Sequence, residues 1–478
     1  MDAVAKRATP KSQCYRRRQP ERTLLYRTVQ THLATWLELH HDAQGRSAPA
    51  LIEREFRRYL ECGILANGFA RARCDECGHD FLIAFSCKGR GVCPSCTTRR
   101  MVETAAHLVD HVIPRLPVRQ WVLSVPKRLR YYLDEPAMLN AALHIFLHAV
   151  EQSLRLCSPG ATAESRIGAV VFIHRFGGLL NPHLALHFLR SHFHAIVVDG
   201  VFAAGSESAE GVCFTEARLD PNALEKIHAQ VRKRLLSAFV RRGLIEKDEA
   251  QTMRSWEHGG GFSLDAGVRI EGNDRQGLER LLRYCARPAF ALERLRQIDA
   301  EHLVYESIKP GPGGSVSLIL TPMELLDRLA ALIPPPRRHR HRYYGVLAPN
   351  SPQREAVTAL AAEVEAAADI PHAAGSPVGE SLVGQAARYA WALLLARIYE
   401  VFPLQCPKCG SEMRIIAFII EAQVVREILT HLGEPTSPPR MAPARGPPLW
   451  EAAMTGQSSN DPLPQPEPAY EFDQRIAW

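Results

Sequence analysis

The chain has 478 residues, 46% hydrophobic and 23% charged, a balance typical of a soluble globular protein with about three domains. The formal net charge of +7 permits a nucleic-acid partner without requiring one. No apolar run is long enough to span a bilayer, and no apolar core follows the charged N-terminus as in a secretory signal. We therefore expect a cytoplasmic protein with no membrane partner.

A basic N-terminal segment, residues 1–24, leads into a helical stretch that extends to about residue 60. Six of the twelve cysteines follow within a short window, which favours metal binding in a reducing cytosol over disulfides. Two CxxC pairs separated by fifteen residues predict one structural zinc, held by Cys74, Cys77, Cys93 and Cys96. Cys87 is an alternative ligand for this zinc, and His79 is a weaker one.

The middle of the chain predicts strands at 120–126 and 167–173 with an amphipathic helix at 140–156 between them. A further strand begins near His192 and ends at the turn pair Asp199-Gly200. Because side chains alternate along a strand, His192 and His194 point the same way, roughly 7 Å apart. They would bind one cation and leave its other coordination positions open, so that the cation could polarise a phosphate. The alternative is one satisfied core histidine beside one surface histidine.

A helix predicted over residues 275–295 carries Tyr284, with Arg280 and Arg287 within one turn on a similar face. These cations would hold a phosphate and lower the cost of a phenolate. A tyrosine that attacks a DNA phosphate forms a phosphotyrosine, which stores the bond energy for rejoining. The alternative is an ordinary tyrosine at a helix surface.

The last third predicts a hairpin at 302–306 and 315–320, a helix at 323–332 and an alanine-rich helical segment. Cys406 and Cys409 then form half of a possible second zinc site, which His431 would complete. A strand at 415–420, a helix at 424–432 and a proline-rich extended tail at 433–478 follow.

The order of zinc module, His-x-His strand and tyrosine helix resembles the HUH (His-hydrophobe-His) superfamily of tyrosine nucleases. It is most similar to rolling-circle insertion-sequence transposases and the related common-region (ISCR) elements. The motifs that carry the resemblance are His192-Phe-His194, Arg283-Tyr284-Cys-Ala-Arg-Pro288 and Cys406-Pro-Lys-Cys409-Gly, with residues 85–96, 99–101, 121–126, 199–202 and 344–349.

The resemblance implies an α+β fold with an HUH-type ferredoxin-like antiparallel sheet, helices on one side, in a catalytic domain at 113–345. A helical, zinc-binding DNA-binding domain at 25–112 would precede it, and a helical region with the CxxC element at 346–432 would follow. His192 and His194 would bind Mg2+ or Mn2+, with zinc as the structural metal. Tyr284 would nick single-stranded DNA at transposon ends through a 5′-phosphotyrosine and transfer the strand. The implied partners are single- and double-stranded DNA and a second copy of the chain, in the bacterial nucleoid.

Two features depart from the family pattern. Pro288 occupies the position of a second tyrosine, so the chain resembles the single-tyrosine branch. Residues 182–191, which include His183 and His187, look like an insertion, and a one-residue slip would turn the histidine pair away from the site. A zinc-dependent DNA-binding protein without nicking activity is one alternative function. A replication initiator or relaxase is another, against which the zinc module and the Cys406 element argue.

Overall fold

The structure is a computed structural model that describes residues 18–40, 48–174, 192–205, 211–256, 261–306, 317–361, 406, 408–411 and 413–445. The expected insertion at 182–191, most of the alanine-rich segment and the end of the tail lie outside these residues.

Within the described residues, the helices are α1 (Leu24–Leu39), α2 (Ala50–Glu61), α3 (Pro94–His111), α4 (Lys127–Arg130), α5 (Pro136–Leu156), α6 (Pro221–Arg241), α7 (Lys247–Ser255), α8 (Arg275–Ala286), α9 (Pro322–Leu332), α10 (Arg354–Ala359) and α11 (Ala422–His431). The strands are β1 (Phe69–Cys74), β2 (Asp80–Ala84), β3 (Val118–Ser124), β4 (Gly168–His174), β5 (His192–Val198), β6 (Gly200–Ala204), β7 (Val212–Glu216), β8 (Ser263–Ile270), β9 (Leu295–Gln297), β10 (Leu303–Glu306), β11 (Ser317–Leu320), β12 (His341–Gly345) and β13 (Met413–Ile419). None of these helices has the length and apolarity needed to cross a bilayer.

The central sheet has five antiparallel strands in the order β12-β4-β5-β3-β8. β5 lies in the middle, and the register places His192 opposite His174 of β4 on one side and opposite Ser124 of β3 on the other. The expectation of an α+β fold with an antiparallel sheet is confirmed.

Helices cover both faces of this sheet. Phe193 and Val197 pack into a core shared with α5 and α6, as the alternation along β5 predicts. Ile196 and Val198 face the opposite way and pack with α3 and α8. The expectation of helices on one side only is therefore wrong for this sheet, because both of its faces carry apolar side chains that require cover.

A buried carboxylate fixes the end of β5 that lies away from the histidines. Asp199 is 1% exposed and accepts two hydrogen bonds from Arg119 of β3, at 2.9 and 2.8 Å. Arg269 of β8 donates a third at 2.8 Å. The three strands are thus tied together by one charge-assisted network, which fixes their relative position.

The segment from β9 to α9, which follows the helix that carries Tyr284, packs on the N-terminal helices rather than on the central sheet. The expected hairpin is confirmed as β10 and β11, and β9 pairs with β10 on its other side. Tyr305 of β10 and Leu325 of α9 lie in one core with Leu25 of α1 and Phe56 of α2. Trp36 of α1 donates a 2.8 Å hydrogen bond to Asp327 of α9.

A third sheet, in the order β13-β1-β2, joins the two ends of the described chain. The C-terminal strand β13 pairs antiparallel with β1 from Phe69↔Ile419 to Cys74↔Met413. The C-terminal element predicted at 415–420 is therefore part of the N-terminal sheet.

Candidate active site and metal centres

Three histidines from two neighbouring strands meet at one end of the central sheet. His174 ends β4, and His192 and His194 lie at the start of β5. Their ring centroids are 4.4 to 5.1 Å apart, and one ligand nitrogen from each lies within 4.8 Å of the others. Since three neutral imidazoles facing one point are a common set of metal ligands, this group is a candidate cation site.

His194 has a buried ring nitrogen without a hydrogen-bond partner in the described part of the chain. Its side chain is 3% exposed, and Nε2 is the unpartnered atom. Nδ1 lies 2.8 Å from the side-chain amide of Gln120 on β3. The amide nitrogen of Gln120 faces Nδ1, so Nδ1 accepts this hydrogen bond and the ring proton is on Nε2. A 180° rotation of the amide would present its oxygen to Nδ1, move the ring proton there and leave the Nε2 lone pair for a cation. With that rotation, the orphaned nitrogen fits a metal ligand.

His174 is held in a fixed orientation by the tyrosine helix. Its Nε2–H donates a 2.6 Å hydrogen bond to the backbone carbonyl of Cys285, next to Tyr284 on α8. This bond commits Nε2 to the proton and leaves the Nδ1 lone pair unprotonated, as in histidine ligands held by a backbone carbonyl. The same contact couples the position of α8 to the histidine cluster.

Burial keeps two members of the cluster, His174 and His194, neutral. Burial, followed by the neighbouring His192, lowers the pKa of His174 to about 4. Burial, followed by His174 and His192, lowers the pKa of His194 to about 3. Neutral imidazoles present lone pairs at physiological pH, which is the state a cation needs.

Tyr284 lies against this cluster. Its ring is 5.8 Å from that of His194, edge to face, and its side chain is 45% exposed. The guanidinium of Arg287 lies 5.0 Å from the centre of the tyrosine ring. Arg280 is exposed four residues earlier, on the same side of α8. The structure thus brings the predicted tyrosine and histidines together, with positive charge beside the phenol.

His174 was not among the site residues predicted from the sequence. The strand prediction stopped at residue 173, one residue short of it, and only the pairing of β4 with β5 places it opposite His192. A histidine directly after a buried strand was the available signal.

The predicted grouping of the N-terminal cysteines is wrong. The structure separates the two CxxC pairs, because the β1–β2 hairpin carries one pair while the other opens α3. Cys93 and Cys96 meet Cys62 and Cys87, whereas Cys74 and Cys77 meet two cysteines from the far end of the chain. Neither His79 nor His431 belongs to the cysteine groups found among the described residues.

The first cysteine group is buried and has the dimensions of a zinc site. Its four members are Cys62 at the end of α2, Cys87, and the pair Cys93 and Cys96 at the start of α3. Three sulfur–sulfur distances are 3.5 to 3.7 Å. A tetrahedral zinc with bonds of about 2.3 Å places its sulfurs about 3.8 Å apart, so the group fits this ion. Hydrogen bonds from the other three thiols, Cys87 first, hold the pKa of Cys62 well below its usual range.

Comparison with known families gives two matches. A family model described as "Transposase zinc-binding domain" matches residues 29–125, and one described as "Putative transposase" matches residues 168–355. The first stretch contains the buried cysteine group, and the second contains the three histidines and Tyr284. No curated protein and no solved structure gives a significant match. The chain is thus similar to transposases in both regions, which supports transposition, DNA binding and structural zinc.

Proposed function

We propose that this protein is a transposase that cuts single-stranded DNA at transposon ends through a covalent bond to Tyr284. The convergence of Tyr284 with His174, His192 and His194 supports the proposal, because Tyr284 lies ninety positions beyond His194 in the sequence. A DNA-binding protein without nicking activity would have no use for this arrangement.

In the cleavage step, the Tyr284 hydroxyl oxygen forms a bond to the scissile phosphorus while the bond from phosphorus to the 3′ oxygen breaks. The phenol loses its proton and the departing 3′ oxygen gains one. The 5′ end is left as a phosphotyrosine, and the phosphate bond is conserved for strand transfer. Arg287, beside the phenol ring, and Arg280 stabilise the phosphate charge.

His174, His192 and His194 would hold a divalent cation, which when bound polarises the scissile phosphate. Mg2+ prefers oxygen ligands and keeps much of its water, whereas imidazoles suit first-row transition ions. Of the two ions expected from the sequence, Mn2+ therefore fits this donor set better.

Pro288 bears on how the reaction cycle ends. α8 ends at Ala286, so residue 288 lies beyond the helix that carries Tyr284. A second nucleophile at that position is excluded in this chain because proline has no hydroxyl group. The second strand transfer then requires Tyr284 again or the tyrosine of a second subunit, which makes a homo-oligomer part of the proposal.

The test incubates the protein with labelled single-stranded transposon ends and Mn2+, then separates products on a denaturing gel. Wild type should give a covalent protein–DNA adduct, and Tyr284→Phe, which removes one oxygen, should give none. Tyr131→Phe is the matched control, because Tyr131 is 73% exposed yet lies outside the histidine cluster, and it should keep the adduct. An adduct that survives in Tyr284→Phe would overturn the assignment.

A second arm uses His192→Ala/His194→Ala. This variant should lose the adduct but still bind DNA, because non-specific binding rests on arginine and lysine contacts to phosphate. Adduct formation at the wild-type rate without both imidazoles would exclude the metal role proposed for them.

A further inference from the structure

We propose that Cys74, Cys77, Cys406 and Cys409 form a second four-thiolate zinc site, split between the two ends of the chain. Cys406 and Cys409 lie outside both stretches that match transposase families. In the structure Cys74 and Cys409 have sulfurs 3.4 Å apart, and Cys77 lies 3.5 Å from both Cys406 and Cys409. These distances approach the separation of about 3.8 Å that tetrahedral zinc thiolates have.

The two halves of this site have the same backbone geometry. In the first, Gly78 N–H donates to the Cys74 carbonyl at 3.0 Å, and Cys74 N–H donates to the carbonyl of His79 at 2.8 Å. In the second, Gly410 N–H donates to the Cys406 carbonyl at 2.9 Å, and Cys406 N–H donates to the carbonyl of Ser411 at 2.8 Å.

Both glycines, Gly78 and Gly410, have a left-handed backbone, with φ of 68° and 77°. The sequence Cys-x-x-Cys-Gly therefore folds twice into the same tight turn, which presents two sulfurs to one side. Two such turns facing each other supply four thiolates and leave no open position, so the site would be structural rather than catalytic.

Apolar burial alone does not account for the arrangement. Cys77 and Cys409 are exposed, and the core around the site contains only a few side chains, among them Ala72 and Met413. Contacts between exposed thiols contribute little to stability without a bound ion, whereas a zinc ion would form a bond with each of the four sulfurs. The ion would fasten β13 to β1 and so make the C-terminal element part of the N-terminal module.

Zinc content of the full chain tests the proposal. All counts are made in a His192→Ala/His194→Ala background, because the histidine cluster could also take zinc. In that background the chain should hold two zinc ions, one in each cysteine group. Cys74→Ser/Cys77→Ser and Cys406→Ser/Cys409→Ser should each hold one, and the variant with all four substitutions should also hold one. Cys213→Ser, at an exposed cysteine of β7, should hold two. Two zinc ions in the Cys406→Ser/Cys409→Ser protein, or none in the fourfold variant, would overturn the shared site.

Alkylation of the wild-type protein gives a second measurement that does not depend on any variant folding. Cys77, Cys409 and Cys213 are all exposed, so burial does not protect the first two, whereas ligation would protect both until a chelator removes the ion. Iodoacetamide should modify Cys213 at least 10-fold faster than Cys77 and Cys409, and a chelator should remove that difference for both together. Equal rates in the untreated protein would refute the site. Neither measurement involves Tyr284 or DNA, so the result is independent of the proposed cleavage.

Discussion

The buried ion network at the end of β5 allows a quantitative test of what holds the central sheet together. Asp199→Ala removes three hydrogen bonds of 2.8 to 2.9 Å and leaves two guanidiniums facing an apolar methyl group. Bonds to charged groups contribute about 1.5–3 kcal/mol each, so a simple sum would be about 4.5–9 kcal/mol. That sum is too large, because Arg119 and Arg269 are 16% and 28% exposed and regain some hydration, and because Arg269 keeps its ion pairs with Glu216 and Glu271. Only Arg119 loses its carboxylate partner, so we expect a loss of about 3 kcal/mol, the lower end of the usual cost of leaving a buried charge unpaired.

Substitution of the two arginines should reduce stability by different amounts, with Arg119→Ala the more costly. Arg269→Ala removes one of the three bonds to Asp199, together with the ion pairs to Glu216 and Glu271, and should cost about 1.5 kcal/mol, the lower end of the range for bonds to charged groups, because these pairs are partly exposed. Arg119→Ala removes the other two, together with a bond to the carbonyl of Ala266, and should cost more.

Hydrogen exchange of the β5 amides measures these opening free energies locally, which suits a chain with several packing units. A change below about 1 kcal/mol for Asp199→Ala would refute the buried network as a stabilising feature. Equal effects of Arg119→Ala and Arg269→Ala would refute its geometry.

Three further predictions concern other parts of the fold. His174→Ala should weaken Mn2+ binding by more than about 10-fold, because loss of a residue that merely orients a metal ligand already costs about that much affinity. Calorimetry of Mn2+ binding measures the change. Gly345→Ala should destabilise the protein more than Gly160→Ala: both glycines have positive φ, but only at Gly345 would a methyl group overlap a backbone carbonyl, that of Ile167. Thermal unfolding of both variants measures the difference. Burial, followed by the charges of His339 and His107, lowers the pKa of His341 in the folded protein. As the pH falls, the imidazole of His341 is therefore protonated at a higher pH in the unfolded chain than in the folded one. Stability should then fall as pH drops below about 6.5, and less steeply in His341→Gln, as urea unfolding at several pH values would show.

Each of these predictions has a control or an outcome that contradicts it. His148→Ala, on α5, should leave Mn2+ binding unchanged, and equal weakening by both histidine variants would remove His174 from the site. Gly160→Ala should cost only the left-handed strain of about 1–2 kcal/mol, so equal losses for the two glycines would mean that the carbonyl contact is unimportant. A parallel pH profile for His341→Gln would assign the acid sensitivity to other groups.

Local patterns predicted much of the candidate site. The alternation of β5 predicted that His192 and His194 share a face and that Phe193 and Val197 share the other. Helical spacing predicted that Arg280 lies on the side of Tyr284. The proximity of Tyr284 to His194 was predicted from the family resemblance, because no local pattern relates residues that are ninety positions apart.

The site predictions that were wrong or incomplete concern residues that meet only through strand pairing. Equal CxxC spacings favoured one zinc site, and nothing local indicated that β13 would pair with β1 and bring Cys406 to Cys77. The remaining cysteines did contain a signal: Cys62 and Cys87, added to three CxxC pairs, make two sets of four. His174 was missed for the same reason, because its role depends on the antiparallel pairing of β4 with β5.

The pairing of β13 with β1 imposes an order on biosynthesis. Cys62 and Cys96 are only 34 positions apart, so the buried cysteine group is complete soon after the N-terminal module leaves the ribosome. Cys77 and Cys409 are 332 positions apart, and at about 5–20 residues per second the ribosome needs about 15–70 s to travel that distance. Throughout that time β1 has β2 on one side and an open edge on the other, which is a surface where strands of neighbouring nascent chains add. A gene copy truncated before residue 413 would make that exposure permanent, so its product would aggregate even though Tyr284 and the three histidines are all encoded.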